Sequence, residues 1–320
     1  MRRALRVSNL THNQFTVEER KLLSLNEKFL LGSYKKVFLV KSPGKNPVES
    51  LFRLMLENGF IDGLLTCGRG EGEPYPALFL NSTQVRIPLI NRCFGVNTLL
   101  KRAVQKYRLS KLALFAPPCM FDGLNKTQYF GIGCNWTKTA IALKVSLMCT
   151  GALTKTGQRA EILHLRGKEL EVKRSYFEGG ELRYETPEGE LKIPPQVHHR
   201  YTLTACRYCL NMGGKGTDIT FVPRKKADEG LFIVRSERGW YTLAQVQKLA
   251  PGKLMLKAAE KKEVESLVRG LKEKALLNIN DILERIELGL PVPKWSDNKL
   301  RKFYRAWNSV EDTNLEEEVF

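Results

Sequence analysis

A strand–helix–strand pattern near the start of the chain constrains its fold more than any other sequence feature. Residues Lys36 to Val40 are apolar enough for a buried strand. A helix is predicted to begin after Asn46, because Asn is a good N-cap and Pro47 suits the first helical position, and to end at Gly59. Phe60 to Thr66 is then predicted to form a second strand, which completes the unit.

The alternation of strands and helices continues and then changes character. An amphipathic helix is predicted from Val96 to Tyr107, with strands at Lys111 to Ala116 and Ala142 to Met148. Residues Leu170 to Ile193 alternate charged and apolar groups between glycine turns, which is typical of an antiparallel meander. Apolar residues from Glu260 to Glu287 recur at helical spacing and predict a long helix.

The predicted fold class is α/β in its main layer and α+β overall. It consists of an α/β layer with largely parallel strands, an antiparallel β insertion and a long C-terminal helix. We divide the chain into an N-terminal extension (1–35), an α/β part (36–165), a β-rich part with the long helix (166–290), and a basic aromatic segment with an acidic tail (291–320).

The chain is strongly basic. It has 320 residues and a net charge of +18, and such a surplus favours anionic partners such as nucleic acid, an acidic electron carrier or a phosphate-bearing cofactor. A soluble basic surface without a specific partner is the alternative. Apolar stretches are too short for a membrane span, and no secretory signal is recognisable, so we expect a cytoplasmic protein with no membrane span.

Four of the seven cysteines have a suggestive context. Cys119 and Cys149 each follow a predicted strand, so parallel strands would bring both to one carboxyl edge of the sheet. Cys206 and Cys209 form a C-x-x-C pair, and the neighbouring Arg200 and Arg207 are expected to favour their thiolate forms. Spacing alone leaves an iron–sulfur cluster, zinc, redox thiols and no site as open interpretations.

The other cysteines carry less information. Cys67, Cys93 and Cys134 are interpreted as small buried hydrophobic residues. The odd count argues against a disulfide framework. The pair His198 and His199 could ligate a metal, but exposed loop histidines are the preferred interpretation.

Five blocks of the sequence resemble, in order, those of the beta-subunit family of coenzyme F-420 (F420) hydrogenases and dehydrogenases. The resemblance extends over about residues 36 to 280. The blocks are Leu56–Gly63, Ala116–Leu124 around Pro118-Cys119, Leu147–Cys149, Cys206–Ile219 and Val234–Gly239.

The resemblance implies a fold, two cofactors and a reaction. It implies bound FAD and a [4Fe–4S] cluster held by Cys119, Cys149, Cys206 and Cys209, with residues 36–165 as the main binding part. The protein would be an oxidoreductase subunit in which the flavin exchanges hydride with F420 and passes single electrons to the cluster. Its partner would be an iron–sulfur or ferredoxin-like subunit of a larger redox complex.

Candidate cofactor contacts come from the same blocks and from the first helix. The helix N-terminus offers free N–H groups to an anion, and the glycine-rich loop after C-x-x-C is interpreted either as an anion-binding nest or as a plain turn. The candidates are Lys45, Asn46, Pro118, Asn211, Lys215, Thr217, Asp218 and Arg235.

Two departures from the family pattern motivate a second hypothesis. Many members have a Gly-Gly pair before the first helix, where this chain has the stretch Lys45–Ser50, and Asn211 stands where they have Asp. The alternative is a flavin and iron–sulfur relay linked to ferredoxin that does not use F420. A third and distant alternative is a basic, zinc-bearing nucleic-acid-binding protein; the preferred interpretation has no nucleic-acid partner.

Overall fold

The computed structural model describes residues 30–68, 75–89, 95–130, 134 and 136–290. Most of the predicted N-terminal extension lies outside the described residues, as do the predicted basic aromatic segment and acidic tail. No helix among the described residues is both long enough and apolar enough to cross a membrane.

The described residues form two sheets. The strands are β1 (Lys36–Lys41), β2 (Gly63–Gly68), β3 (Tyr75–Phe79), β4 (Leu112–Ala116), β5 (Ile141–Leu147), β6 (Arg174–Glu178), β7 (Glu181–Thr186), β8 (Gly189–Lys192), β9 (Ile219–Pro223), β10 (Glu229–Val234) and β11 (Met255–Ala258). The main sheet has the order β11-β1-β10-β9-β5-β4-β2-β3, and β6-β7-β8 form a separate antiparallel meander.

The helices lie in the connections between these strands, except for the last helix, which follows β11. They are α1 (Pro47–Glu57), α2 (Thr98–Gln105), α3 (Pro118–Phe130), α4 (Trp136–Ala140), α5 (Lys155–Arg166), α6 (Pro195–Tyr201), α7 (Glu237–Leu249) and α8 (Lys261–Glu287). Short 3-10 turns lie at Ser82–Gln84 and Thr204–Tyr208.

The predicted fold class is confirmed, with one refinement in the main sheet. Strands β9, β5, β4 and β2 pair in parallel at its centre. The flanking strands β10, β1, β11 and β3 pair antiparallel. Strands from both sides of residue 165 share this sheet, so the proposed division there cuts through one hydrogen-bonded layer.

Helix α1 begins where its sequence predicts. The Asn46 side chain accepts a hydrogen bond from the Val48 amide at 3.0 Å, and Pro47 occupies the first turn. Leu51 and Phe52 are fully buried against the main sheet. Although β1 and β2 flank α1 in the chain, four strands separate them in the sheet.

Helices cover both faces of the main sheet. Alternate strand residues point to opposite faces. On one face α1 and α7 pack in a cluster that includes Phe52 and Leu243. On the other face lie α8, represented by Leu271, and α2 and α3, represented by Leu100 and Phe121. The site described below lies beside α3 and α8.

The β6-β7-β8 sheet rests directly on α8. Gly180, in the turn before β7, has φ of +82°, and a Cβ there would overlap the Ser266 carbonyl. A Cβ on Gly270 would overlap the Gly180 carbonyl in turn. The two backbones therefore touch at a point where only glycine fits.

Candidate metal centre

Cys119 and Cys149 follow neighbouring parallel strands. Cys119 is the second residue of α3, which begins two residues after β4 ends. Cys149 lies two residues past β5, and its amide donates to the Met212 carbonyl at 3.1 Å. Because β4 and β5 pair in parallel, both cysteines lie at the same carboxyl edge of the sheet.

The C-x-x-C pair is held at this edge from both sides. The Ala152 amide donates to Cys206 Sγ at 3.4 Å. Asn278, on α8, donates from Nδ2 to the carbonyls of Cys206 at 3.0 Å and Cys209 at 2.5 Å. The long helix therefore fixes the backbone of both cysteines.

The structure brings the four thiols into one group, of which Cys119 is the most exposed member. Loss of solvation is the main cause that raises the pKa of Cys119 to about 11, of Cys209 to about 12, and of Cys149 well above its ordinary value. Charge on the other thiols raises the same three values further, with Cys206 contributing to each, so all four sulfurs lie within electrostatic reach of one another.

The expected effect of the neighbouring arginines is wrong for Cys209. Arg207 donates from Nε to Asp281 at 2.5 Å, so its charge is shared with a carboxylate. Burial of Cys209 raises the pKa of its thiol and outweighs any attraction, so the thiol is protonated at neutral pH. Ligation would have to displace that proton.

The number of thiols bears on which kind of metal site they could form. Two thiolates on one tetrahedral zinc lie about 3.8 Å apart, because each Zn–S bond is about 2.3 Å. Among the described residues, no three His, Cys, Asp or Glu side chains gather closely enough to hold a single metal ion. A polynuclear iron–sulfur cluster takes one thiolate on each of several irons, so four thiols match such a cluster in number.

The remaining described cysteines stand apart. Cys134 is half-buried and is not part of a disulfide. Cys67 is 4% exposed, as expected for a small buried residue, but it is disulfide-bonded, contrary to the expectation that disulfides are absent. Cys93 lies outside the described residues.

Two buried lysines accompany the thiols. Lys215 is 5% exposed and Lys274 is 2% exposed. Burial lowers the pKa of each to about 8, and nearby thiols act in the opposite direction: Cys209 on Lys215, and Cys206, Cys149 and Cys209 on Lys274. Lys274 was missed by sequence reasoning, although its position on the apolar stripe of α8, three residues after Leu271, is an available signal.

A hydrogen-bonded chain connects Lys274 to the C-x-x-C segment. Lys274 Nζ lies 2.7 Å from His199 Nδ1, and His199 Nε2 lies 3.0 Å from Asp281 Oδ2. Asp281 also receives Arg207. His198 lies 2.8 Å from Glu161. The preferred interpretation of exposed histidines is therefore wrong, because both are buried and have partners in the protein.

Asp122 is a second group that sequence reasoning missed. Burial raises its pKa to about 7, and its charge raises the pKa of Cys119 and Cys209. Asn211 donates to its carboxylate and also accepts from the Lys215 amide at 2.7 Å. Asn211 thus ties α3 to the loop after C-x-x-C.

That loop, residues 211–218, is buried throughout. Gly214 has φ of +78°, and a Cβ there would overlap Ser146 Oγ and Thr220 Oγ1. Thr217 Oγ1 donates to the Gly214 carbonyl at 2.7 Å. Asp218 accepts from the Lys144 amide at 2.8 Å. The loop is packed as part of the core beside the thiols.

Arg235 supports the same loop from within the core. It is fully buried, and its guanidinium donates to the carbonyls of Gly213 at 2.5 Å and Ser33 at 2.9 Å, and to Thr220 Oγ1 at 3.2 Å. Burial lowers its pKa to about 9. The Asn211, Thr217, Asp218 and Arg235 side chains thus all have protein partners, and their predicted contact with a cofactor stays a prediction.

The other predicted contacts lie at helix starts. Asn46 caps α1, and Pro118 is the buried first residue of α3. Lys45 is exposed and lines a cavity of about 280 Å³ together with Arg53 and Lys253. These three cations give the cavity a basic wall.

A second cavity, of about 360 Å³, borders the thiol group. It lies between the β6-β7-β8 sheet, α6 and α8, with Leu182, Ile193 and Pro194 among its apolar lining. Thr150, next to Cys149 in the chain, and Lys274 also line it. Lys274 is therefore common to the cavity and the thiol group.

Comparison with known proteins identifies a matching family. Residues 109–262 match the family model that describes the C-terminal part of the beta subunit in coenzyme F420 hydrogenases and dehydrogenases. Over these residues the chain is similar to the F420 hydrogenase/dehydrogenase beta-subunit family. The matched region contains all four grouped cysteines, whereas Lys274 and Asn278 lie beyond it. The resemblance inferred from the sequence is thereby confirmed.

Matches to two curated relatives extend beyond the residues that the family model covers. The chain is 24% identical over 290 residues to coenzyme F420 hydrogenase subunit beta of Methanothermobacter thermautotrophicus, covering 82% of this chain and 99% of the relative. It is 21% identical over 267 residues to the protein of the same name from Methanosarcina barkeri, covering 78% and 91%.

The fold also matches a solved structure. A chain in a xenon-derivatised F420-reducing [NiFe] hydrogenase complex from Methanosarcina barkeri superposes with a TM-score of 0.70. That match covers 82% of this chain and 97% of the other at 20% identity. The two chains therefore share one fold.

Proposed function

We propose that this protein is an FAD- and [4Fe–4S]-containing oxidoreductase subunit that moves electrons between F420 and an iron–sulfur partner subunit. The match to the F420 hydrogenase/dehydrogenase family model and to its curated relatives supports the F420-linked redox role and a place in a larger complex. The observation that carries the proposal is the grouping of four thiols from three separate chain segments at one sheet edge.

The four thiols suit a cluster in number and in setting. They are Cys119, Cys149, Cys206 and Cys209. A bound [4Fe–4S] cluster supplies one-electron transfer. The protein's part is to give up the thiol protons on loading and to surround the resulting thiolates with backbone N–H groups and with the ammonium groups of Lys215 and Lys274. The Ala152 amide, which already donates to Cys206 Sγ, is one such group.

The 360 Å³ cavity suits the flavin ring. Its size lies within the range of about 300–1,000 Å³ that is typical of small-molecule sites. Its walls combine apolar side chains with Thr150, Lys192 and Lys274, and it adjoins the thiol group as electron exchange requires. We assign the ring of FAD to this cavity and keep Lys45 and Asn46 as proposed contacts for its anionic part.

A flavin between F420 and a cluster has a chemical reason. Hydride transfer moves two electrons together, whereas a cluster accepts one at a time, so the carrier between them must handle both. The cytoplasmic location expected from the sequence stays part of the proposal.

Anaerobic reconstitution tests the proposal. Iron, sulfide and flavin would be counted in the wild-type protein, and the cluster examined by EPR after reduction. Cys149→Ala is expected to lose the cluster, whereas Cys134→Ala, which removes a cysteine outside the thiol group, is expected to keep it. Full iron content in Cys149→Ala would overturn the assignment of ligands.

The relay that does not use F420 remains the second candidate. Asn211 favours it, because this residue departs from the family pattern yet is fixed in place by Asp122 and Lys215. Stopped-flow mixing of the holo-complex with reduced F420 distinguishes the two. Rapid oxidation of F420 supports the main proposal, and no oxidation supports the relay.

A further inference from the structure

Lys274 and Asn278 lie one turn apart on α8 and face the same segment. Residues four apart on a helix share a face. Asn278 binds the carbonyls of both C-x-x-C cysteines. Lys274 is 2% exposed and reaches His199, which lies on α6, the helix before that segment in the chain. This face of α8 therefore presents one amide and one ammonium to the proposed cluster ligands.

The ammonium group is held in one position. Lys274 Nζ contacts His199 Nδ1 at 2.7 Å, and the other nitrogen of His199 contacts Asp281 at 3.0 Å. A buried lysine side chain has a large rotamer entropy to lose, so such fixed contacts are needed to keep it in place. His199 and Asp281 act as positioning residues for the charge.

The charges of the side chains around Lys274 do not cancel. Asp281 is shared between the His199 contact and Arg207, so the group of Lys274, Arg207 and Asp281 retains one positive charge. By the same count, the group of Lys215, Arg235 and Asp122 also retains one positive charge. Lys274 is the stronger candidate because its charge interacts with three of the thiols, those of Cys206, Cys149 and Cys209, whereas that of Lys215 interacts with Cys209.

We propose that Lys274 raises the reduction potential of the cluster by placing a fixed positive charge beside its thiolate ligands. The inference rests on the proposed function, since it requires a cluster at Cys119, Cys149, Cys206 and Cys209. One-electron reduction makes the ligated group more negative by one charge, and a nearby cation stabilises that form. Lys274 also lines the cavity proposed for the flavin ring, so its charge lies at the boundary between the two proposed cofactor sites.

The size of the effect follows from Coulomb's law. A unit charge about 10 Å away at an effective dielectric constant of about 20 changes a one-electron equilibrium by roughly tenfold. A tenfold change corresponds to about 59 mV for one electron. Lys274→Met is expected to lower the midpoint potential by about that amount.

An EPR-monitored redox titration of the holo-complex tests the inference. Lys274→Arg keeps the charge and is expected to restore the wild-type potential, which a merely structural role would not require. Lys272→Met is the matched control, because Lys272 is on the same helix but exposed, and its potential is expected to be unchanged. Should Lys274→Met fail to load, Lys274→Gln provides the same charge removal with a polar head group.

The outcomes separate the two proposals. A cluster-bearing neutral variant with the wild-type potential overturns the inference and leaves the proposed function standing. A wild-type protein that binds no iron overturns both. A lowered potential in the neutral variant, restored in Lys274→Arg, supports both.

Discussion

Asn211 donates from Nδ2 to the Asp122 carboxylate at 2.5 Å and accepts the Lys215 amide on Oδ1 at 2.7 Å. An amide can make both bonds at once, whereas a carboxylate at this position would meet Asp122 with no proton to donate. The residue that departs from the family pattern is thus matched to the carboxylate on α3.

Asn211→Asp is expected to destabilise the protein. Two facing carboxylates repel, and a lost hydrogen bond to a buried group costs about 1–3 kcal/mol. Urea unfolding of the metal-free protein at pH 8 measures the loss. The decrease in the free energy of unfolding should be smaller at pH 5, where Asp122 is protonated because its pKa is about 7. An equal loss at both pH values would contradict this account.

Asp122 is expected to make the stability of the metal-free protein depend on pH. Its pKa is raised from 3.8 to about 7, so the folded state retains a proton that the unfolded state has lost. The contribution of Asp122 is therefore fully present below about pH 4 and is lost as the pH rises to 7, by up to about 1.4 kcal/mol per pH unit. Asp122→Asn should remove this slope, as a difference curve of the two proteins would show.

Cluster loading is expected to release protons and to weaken in acid. Loss of solvation raises the pKa of Cys119 to about 11 and of Cys209 to about 12, so both thiols are protonated before ligation. Each thiolate formed releases one proton, which makes binding steeper in pH than at a site of preformed thiolates. Iron uptake followed from about pH 6.5 to 8.5 should rise throughout. A flat profile would show that the thiols are already ionised.

Asn278→Ala is expected to reduce cluster loading. The change frees the carbonyls of Cys206 and Cys209, which α8 now fixes. Loss of an outer-shell contact of this kind typically weakens metal affinity about 10–100-fold. The iron that each variant retains after exposure to a chelator measures this loss of affinity. Glu265→Ala, which changes an exposed residue of α8, is the control. Equal iron retention in both variants would remove Asn278 from the site.

Gly214→Ala is expected to be more damaging than Gly59→Ala. Both glycines have positive φ, +78° and +68°, so both changes carry a backbone penalty of about 1–2 kcal/mol. A Cβ on Gly214 also overlaps Ser146 and Thr220, whereas nothing lies within 4 Å of a Cβ on Gly59. Thermal unfolding should therefore show a larger decrease in Tm for Gly214→Ala.

Local sequence signals predicted the elements of this fold well. Asn46 and Pro47 define the start of α1, and the glycine turns around 179–180 and 189 define the meander. The order of strands in the sheet was beyond these signals. Pairing of β1 with β10 joins residues far apart in the chain, and its register depends on tertiary packing and not on local propensity.

The candidate site was predictable only in its cysteines. Cys119 and Cys149 stand at strand ends, which a sequence shows directly. The role of Lys274 was hidden, because a lysine on a helical stripe usually extends to solvent. The burial of Arg235 in the core was also hidden, since its partners include backbone carbonyls that no sequence pattern marks; its contact with a cofactor stays a prediction.

The contact between Gly180 and Gly270 requires glycine at two codons that lie far apart in the gene. A methyl group at either position would push the meander away from α8, and with it the cavity wall that both elements build. Saturation libraries of this gene should therefore be depleted of every substitution at both codons. A compensating exchange at one site cannot rescue the other, because each backbone already occupies the space that a side chain would need.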